Sequence, residues 1–227
     1  MDFAPPRTWP EIADEIAQSG LSPRGAFAAD GTDADLPAGA VSLILLGFVG
    51  ARGRTAFRQS REASDGAPHP LDRWSRRIVD ALAMRLGAQA LYPFSGPPHR
   101  PFQRWALKAD DVHPSPIGLL VHGEHGLWHS YRGALAFAHD VGAPARADRA
   151  SPCATCATKP CLVTCPVGAF SPGRYDVAAC AAWIGSADGA QCQDGGCLAR
   201  RACPIGAPPS RDQRAFSMRA FLRARSA

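Results

Sequence analysis

Cysteine is absent from the first 152 of the 227 residues, and lysine is rare throughout, with Lys108 and Lys159 the only two among 25 basic side chains. The first absence excludes a secreted disulfide scaffold, which spreads its bridges through a small domain. Apolar residues make up 46% of the chain, so a sizeable core is available without cross-links. No charged-then-apolar leader pattern stands at Met1–Gly20, which is acidic and contains proline. The longest apolar run, Ala40 to Val49, is about half of what a bilayer requires. These absences predict a protein of the reducing cytoplasm with no membrane span. Also missing is a Gly-rich phosphate loop of the Rossmann or P-loop type, so a tightly bound nicotinamide is not expected. The net charge of +5 is carried almost wholly by arginine, and Arg-rich usage explains it as well as an anionic partner does.

The periodicity gives a coarse map. Ile12, Ile16 and Ala17 recur at helical spacing over Trp9–Ser19, with Gly20 a suitable stop. A short strand is expected around Ala26–Ala28, and Val41–Val49 reads as a strand buried on both faces. Gly50 to Pro70, with Arg52, Arg54, Arg58 and Arg61, reads as a partly helical excursion or surface loop. A helix follows with Asp72 as its N-cap, apolar at Trp74, Ile78, Ala81, Leu82 and Leu86, and ended by Gly87. Ala88–Phe94 reads as the next strand, so Val41–Phe94 has a strand–helix–strand grammar. Pro93–Pro101 excludes regular structure. Phe102–Ala109 is a short helix, Pro116–His122 a strand, and Leu127–Phe137 its hairpin partner across the turn Gly123–Gly126. Ala143–Ser151 is a linker. A basic helix, Arg211–Arg225, closes the chain and is expected to dock through Ala215, Met218 and Leu222, since short helices are marginal without packing.

All eight cysteines lie at 153, 156, 161, 165, 180, 192, 197 and 203, and two near-identical pentapeptides, Cys165–Ala169 and Cys203–Ala207, end the two halves of the run. The first half, C-x2-C-x4-C-x3-C-P, is close to an iron–sulfur spacing in which the fourth cysteine serves the other cluster of a pair. On that logic Cys153, Cys156, Cys161 and Cys203 hold one [4Fe–4S] cluster, and Cys165, Cys180, Cys192 and Cys197 hold a second. Two all-thiolate zinc sites would also use eight cysteines, but zinc ribbons usually pair two C-x2-C knuckles, whereas here the second half is Cys192-x4-Cys197-x5-Cys203. Disulfides are the third alternative. His122, His125 and His129 bracket a predicted turn; hairpin geometry sends such residues to different faces, which favours surface polar groups over ligands.

The cysteine run resembles the bacterial two-cluster ferredoxin module. Its isolated Cys180, and the final Cys203-Pro204, are similar to epoxyqueuosine reductase. The likeness continues upstream through Arg104–Ala109, Pro116–His122 and Gly126–Leu135. The Gly126-x-Trp128-x-x-x-Arg132-Gly133 portion also resembles the CblC-type cobalamin-processing proteins. The resemblance implies a nitroreductase-like mixed sheet with flanking helices that binds cobalamin or another corrinoid, with Trp128, Tyr131 and Arg132 as candidate cofactor contacts. The family's proton-donating carboxylate has no counterpart in Ser95–Pro101, where His99 is the candidate acid. The helical repeats with which that family grips transfer RNA do not follow the clusters here.

The expected class is therefore α+β: residues 1–145 form a domain suited to a cofactor or substrate, 146–210 a two-[4Fe–4S] ferredoxin-like module, and 211–227 a basic helix. The expected function is single-electron transfer to a redox partner protein or to a cofactor on the N-terminal domain. The alternative is a corrinoid- or flavin-dependent reductase with a small-molecule substrate. Nucleic acid is not an expected partner.

Overall fold

In a computed structural model, residues 6–30, 32, 33, 35–49 and 52–226 are described. The start of the excursion predicted from Gly50 lies outside them, as do the first residues of Met1–Gly20. The described chain divides into two compact units, 1–111 with 130–148, and 112–129 with 149–227.

The first unit is built on a four-stranded sheet. Its strands are β1 (Ser22–Ala28), β2 (Ser42–Val49), β3 (Gln89–Leu91) and, numbered in chain order, β6 (His129–Phe137). Their spatial order is β1-β2-β6-β3. β1 runs antiparallel to β2, and β3 antiparallel to β6. Val41 N–H donates to the Phe137 carbonyl at 2.7 Å while Gly47 lies against the Ser130 carbonyl, so β2 and β6 are antiparallel too. Neighbours in this sheet are thus antiparallel throughout. The parallel relation expected of a mixed sheet holds only between strands that are not neighbours, β2 and β3 on either side of β6 and β1 and β6 on either side of β2. The continuous apolar run makes β2 the central buried strand: Leu43, Ile44, Leu45 and Leu46 are each 0% exposed.

Helices α1 (Trp9–Gln18), α2 (Arg52–Arg58), α3 (Pro70–Leu86) and α4 (Phe102–Ala109) complete this unit. The α3 helix starts two residues before the expected cap. His69 occupies the N-cap in a left-handed conformation and Pro70 takes the first turn, where its fixed φ fits and its missing N–H costs nothing. Asp72 lies inside that turn and receives Arg132. Gly87, at φ 65°, ends the helix as expected. Trp74, Val79, Leu82 and Trp105 are buried in the core.

In the second unit β4 (Val112–Pro114) pairs antiparallel with β5 (Leu120–His122). This corrects the expected hairpin between Pro116–His122 and Leu127–Phe137: β5 turns back on β4, and β6 leaves to join the large sheet. The remaining elements are α5 (Pro160–Val163), the hairpin β7 (Phe170–Ser171) and β8 (Arg174–Tyr175), α6 (Val177–Gly185), α7 (Ala190–Gly195), α8 (Leu198–Arg201) and α9 (Arg211–Ser226). The C-terminal helix α9 packs on α6 and α7, burying Ala215 and Met218 and leaving Arg219 and Arg223 exposed. Among the described residues no helix is long and apolar enough to cross a membrane.

Candidate metal centre

The cysteines sit on short elements whose ends are fixed by local hydrogen bonds. Lys159 adopts a left-handed conformation (φ 38°) and its ammonium donates to the Cys156 carbonyl at 3.2 Å. Pro160 then opens α5, which buries Cys161. After Cys165 the chain turns, and Ala169 N–H donates to the Cys165 sulfur at 3.3 Å. Asp176 accepts from Ala179 N–H at 2.9 Å and starts α6, which carries the buried Cys180. Cys192 is buried on α7, and Cys197 is the N-cap of α8.

All eight thiols are free. Their electrostatic neighbours divide them into two groups. Cys161 is acted on by Cys153, Cys203 and Cys156, and Cys153 by Cys203 and Cys156. Cys180 is acted on by Cys165 and Cys192, and Cys197 by Cys180. Cys203 of the second half thus acts on thiols of the first, and Cys165 of the first half acts on Cys180 of the second. Burial pushes all four of Cys153, Cys161, Cys180 and Cys197 above the ordinary thiol value, and the neighbouring thiols push the same way. Against that rise, the Tyr175 hydroxyl stabilises the Cys180 thiolate, and the Arg200 backbone N–H and charge stabilise that of Cys197. Uncharged thiols are thus favoured by the protein alone, and a cation cluster would be needed to hold them deprotonated.

One cavity is lined by all four of Cys165, Cys180, Cys192 and Cys197, together with Phe170, Trp183, Ile184 and Met218. The Trp183 indole N–H is buried there without a hydrogen-bond partner. Of the other four thiols, Cys161 is buried with Ile117, Val121 and Leu127, and Cys153 and Cys203 pack partly buried against that cluster, as do Cys165 and Cys197. Among the described residues no three His, Cys, Asp or Glu side chains converge on a point suited to a single ion.

The turn Gly123–Gly126 closes over the second pentapeptide. A Cβ on Gly126 (φ 56°) would lie 1.8 Å from the Ile205 carbonyl oxygen, and one on Gly206 (φ 76°) would lie 2.4 Å from the His125 carbonyl carbon. Glycine is required at both places by conformation and by backbone contact. Gly168, the counterpart of Gly206 in the first pentapeptide, has open space beside it. The three histidines do not splay apart as expected. His122 is buried and stacks on His125 with ring centroids 4.5 Å apart, and His129 lies 6.0 Å away. The reason is local: His122 Nδ1 accepts from the backbone N–H groups of Glu124 and His125 at 3.0 and 3.1 Å, which folds the turn around its ring.

The other sequence candidates have the following surroundings. His99 is exposed, its Nδ1 3.1 Å from the Ser95 carbonyl. Trp128 is buried, with the Arg200 guanidinium 4.5 Å above its ring. Tyr131 donates to Asp110 at 2.7 Å, and burial, with the Asp110 charge, holds its hydroxyl far above the usual range. Arg132 donates to Asp72 and, at 3.0 Å, to Ser75. Sequence reasoning missed the buried pair of Arg24 and Asp110, joined at 2.9 Å through Nε. An arginine inside an otherwise apolar strand, Arg24 to Ala28, was the available signal.

The architecture these elements define is an α+β sheet domain with a cysteine-bearing unit, and the solved structures it resembles include epoxyqueuosine reductase. Crystal structures of epoxyqueuosine reductase match over 87% of this chain with a TM-score of 0.57. One is of the selenomethionine-labelled protein, at 12% identity. The other holds a tRNA-Tyr epoxyqueuosine-modified stem loop, at 14% identity. At such identity the likeness is one of fold. The match spans 65% and 64% of those chains, so this protein corresponds to just under two thirds of their length. No protein-family model and no curated protein matches the sequence.

Proposed function

We propose that the chain is an iron–sulfur electron-transfer protein carrying two [4Fe–4S] clusters. It passes single electrons to a redox partner or to a cofactor on its own N-terminal unit. The observation that carries this reading is eight free thiols at cluster spacing, and it is supported by Cys203 acting on Cys153 and Cys161 and by Cys165 acting on Cys180. Cys153, Cys156, Cys161 and Cys203 would hold one cluster; Cys165, Cys180, Cys192 and Cys197 would hold the other. The spacing Cys192-x4-Cys197-x5-Cys203, which lacks the second C-x2-C knuckle of a zinc ribbon, favours a cluster over zinc. When bound, such clusters supply reversible one-electron chemistry. The protein's part is to exclude water with Phe170, Ile184 and Met218 and to donate hydrogen bonds to sulfur from Ala169 and Tyr175.

The second reading, a corrinoid- or flavin-dependent reductase related to epoxyqueuosine reductase, is supported by the fold likeness across both units. The tRNA stem loop in one of those structures returns nucleic acid to the candidate partners, against the expectation from sequence, and the exposed Arg219 and Arg223 of α9 are where contact with phosphate would be sought. The test is anaerobic purification, iron and sulfide quantification, then titration with cob(II)alamin and flavin followed by visible spectra and EPR. About eight irons and eight sulfides per chain are expected. A colourless, zinc-loaded protein overturns the cluster reading. A full iron complement with no response to corrinoid or flavin leaves the electron carrier and removes the reductase.

A further inference from the structure

Arg200 is a charged side chain that the cysteine spacing does not call for. It lies on α8, three residues after Cys197. Its guanidinium rests on the buried face of Trp128 at 4.5 Å, and one terminal nitrogen donates to the Leu127 carbonyl. Its Nε is buried without a hydrogen-bond partner. Among the described residues no carboxylate pairs with it; the charge that acts on Arg200 is that of Cys197, and burial disfavours its cationic form. Arginine stays protonated in proteins. A guanidinium fixed in a sheltered place calls for an anion, and the group whose charge acts on it is Cys197, the N-cap of the same helix three residues earlier.

We infer that Arg200 is a positioning residue that raises the reduction potential of the cluster held by Cys165, Cys180, Cys192 and Cys197. This inference rests on the cluster reading above. Adding an electron to that centre adds negative charge beside a fixed cation, and at short range in a water-poor setting the reduced state gains more than the oxidised one. Trp128 and the Leu127 carbonyl hold the guanidinium against the drift that an exposed arginine would show. This also gives the Gly126-x-Trp128 segment a purpose that needs no cofactor contact: Gly126 lets the turn close on Ile205, and Trp128 supplies the platform.

The test is an EPR-monitored redox titration of the anaerobically purified full-length chain, comparing wild type with Arg200→Gln and Arg200→Lys. Arg200→Gln is expected to move one of the two midpoint potentials to a lower value and leave the other in place, with the iron count unchanged. Arg200→Lys, which keeps the charge but loses the planar stacking, is expected to recover most of the shift. Two unchanged midpoints in an iron-replete Arg200→Gln protein overturn the inference. If Arg200→Gln isolates with half its iron, Arg200→Lys and Trp128→Phe decide. Wild-type iron in both, with the Arg200→Lys midpoints at or near wild-type values, supports the charge role, and loss of iron from the lysine variant as well overturns it in favour of a purely structural one. A wild-type protein lacking iron and sulfide refutes the cluster reading itself and is thereby distinguishable.

Discussion

In the first unit the centre is hydrocarbon: Leu43 to Leu46 are fully buried, and Trp74, Val79, Leu82 and Trp105 are closed to solvent as well. In the second unit thiols are interleaved with the buried apolar side chains. Cys161 packs with Ile117, Val121, Leu127, Phe170 and Ala199, while Cys180 and Cys192 pack with Ala169, Ile184 and Met218. The first unit can draw its stability from apolar burial and from internal ion pairs such as Arg24–Asp110. The second has short helices, several of only one turn, whose intrinsic stability is low. On the proposed cluster reading, a large part of its folding energy comes from what the thiols bind.

The largest effect that would break this contrast is metal removal. Stripping iron with a chelator and oxidant should raise amide exchange across residues 153–207 by about a thousandfold, while β2 and α3 of the first unit keep their protection. Equal protection in both units after iron loss would refute the contrast. A smaller effect is expected from Asp110→Asn, which removes the carboxylate charge that meets the buried Arg24, 2% exposed. Breaking such a buried pair should destabilise the first unit by about 3 kcal/mol in chemical denaturation, with iron content unaffected. A loss below about 1 kcal/mol would show that the pair is not the anchor described.

The smallest effect concerns Glu62. This buried carboxylate receives Arg77 at 2.6 Å, and that hydrogen bond holds its pKa well below the ordinary 4.5. A depressed folded-state pKa contributes stability that is fully present above 4.5 and is lost as pH falls through the lower folded value. Glu62→Gln should therefore cost about 1 kcal/mol near neutrality, because Arg77 is partly exposed, and should flatten the acid side of the stability profile. Parallel acid profiles for wild type and variant would contradict this.

Much of this contrast is legible in the sequence, for identifiable reasons. The continuous apolar run at Val41–Val49 has only one good solution, a strand buried on both faces. The cysteine spacing carries its own chemistry, because fixed gaps dictate which thiols can share a centre. The departures arise where pairing is non-local. Leu127–Phe137 carries the alternation of a hairpin partner, yet its neighbours in the sheet are β2 and β3, and nothing in the local pattern distinguishes those from β5. The stacking of His122 on His125 depends on backbone N–H groups of the turn, which composition does not reveal. Arg200 was invisible because an arginine on a four-residue helix reads as solvated until its neighbours, Trp128 and Cys197, are placed around it.

The central claim is the crossing of Cys165 and Cys203 between two clusters, and paired cysteine substitutions with iron counting test it most directly. If the sets are interleaved, Cys153→Ser combined with Cys203→Ser removes two ligands of one cluster and should leave about four irons per chain. Cys153→Ser combined with Cys165→Ser strikes both clusters and should leave close to none. The reverse pattern, with iron retained in the second pair and lost in the first, would mean that each half of the sequence closes its own cluster and would contradict the account.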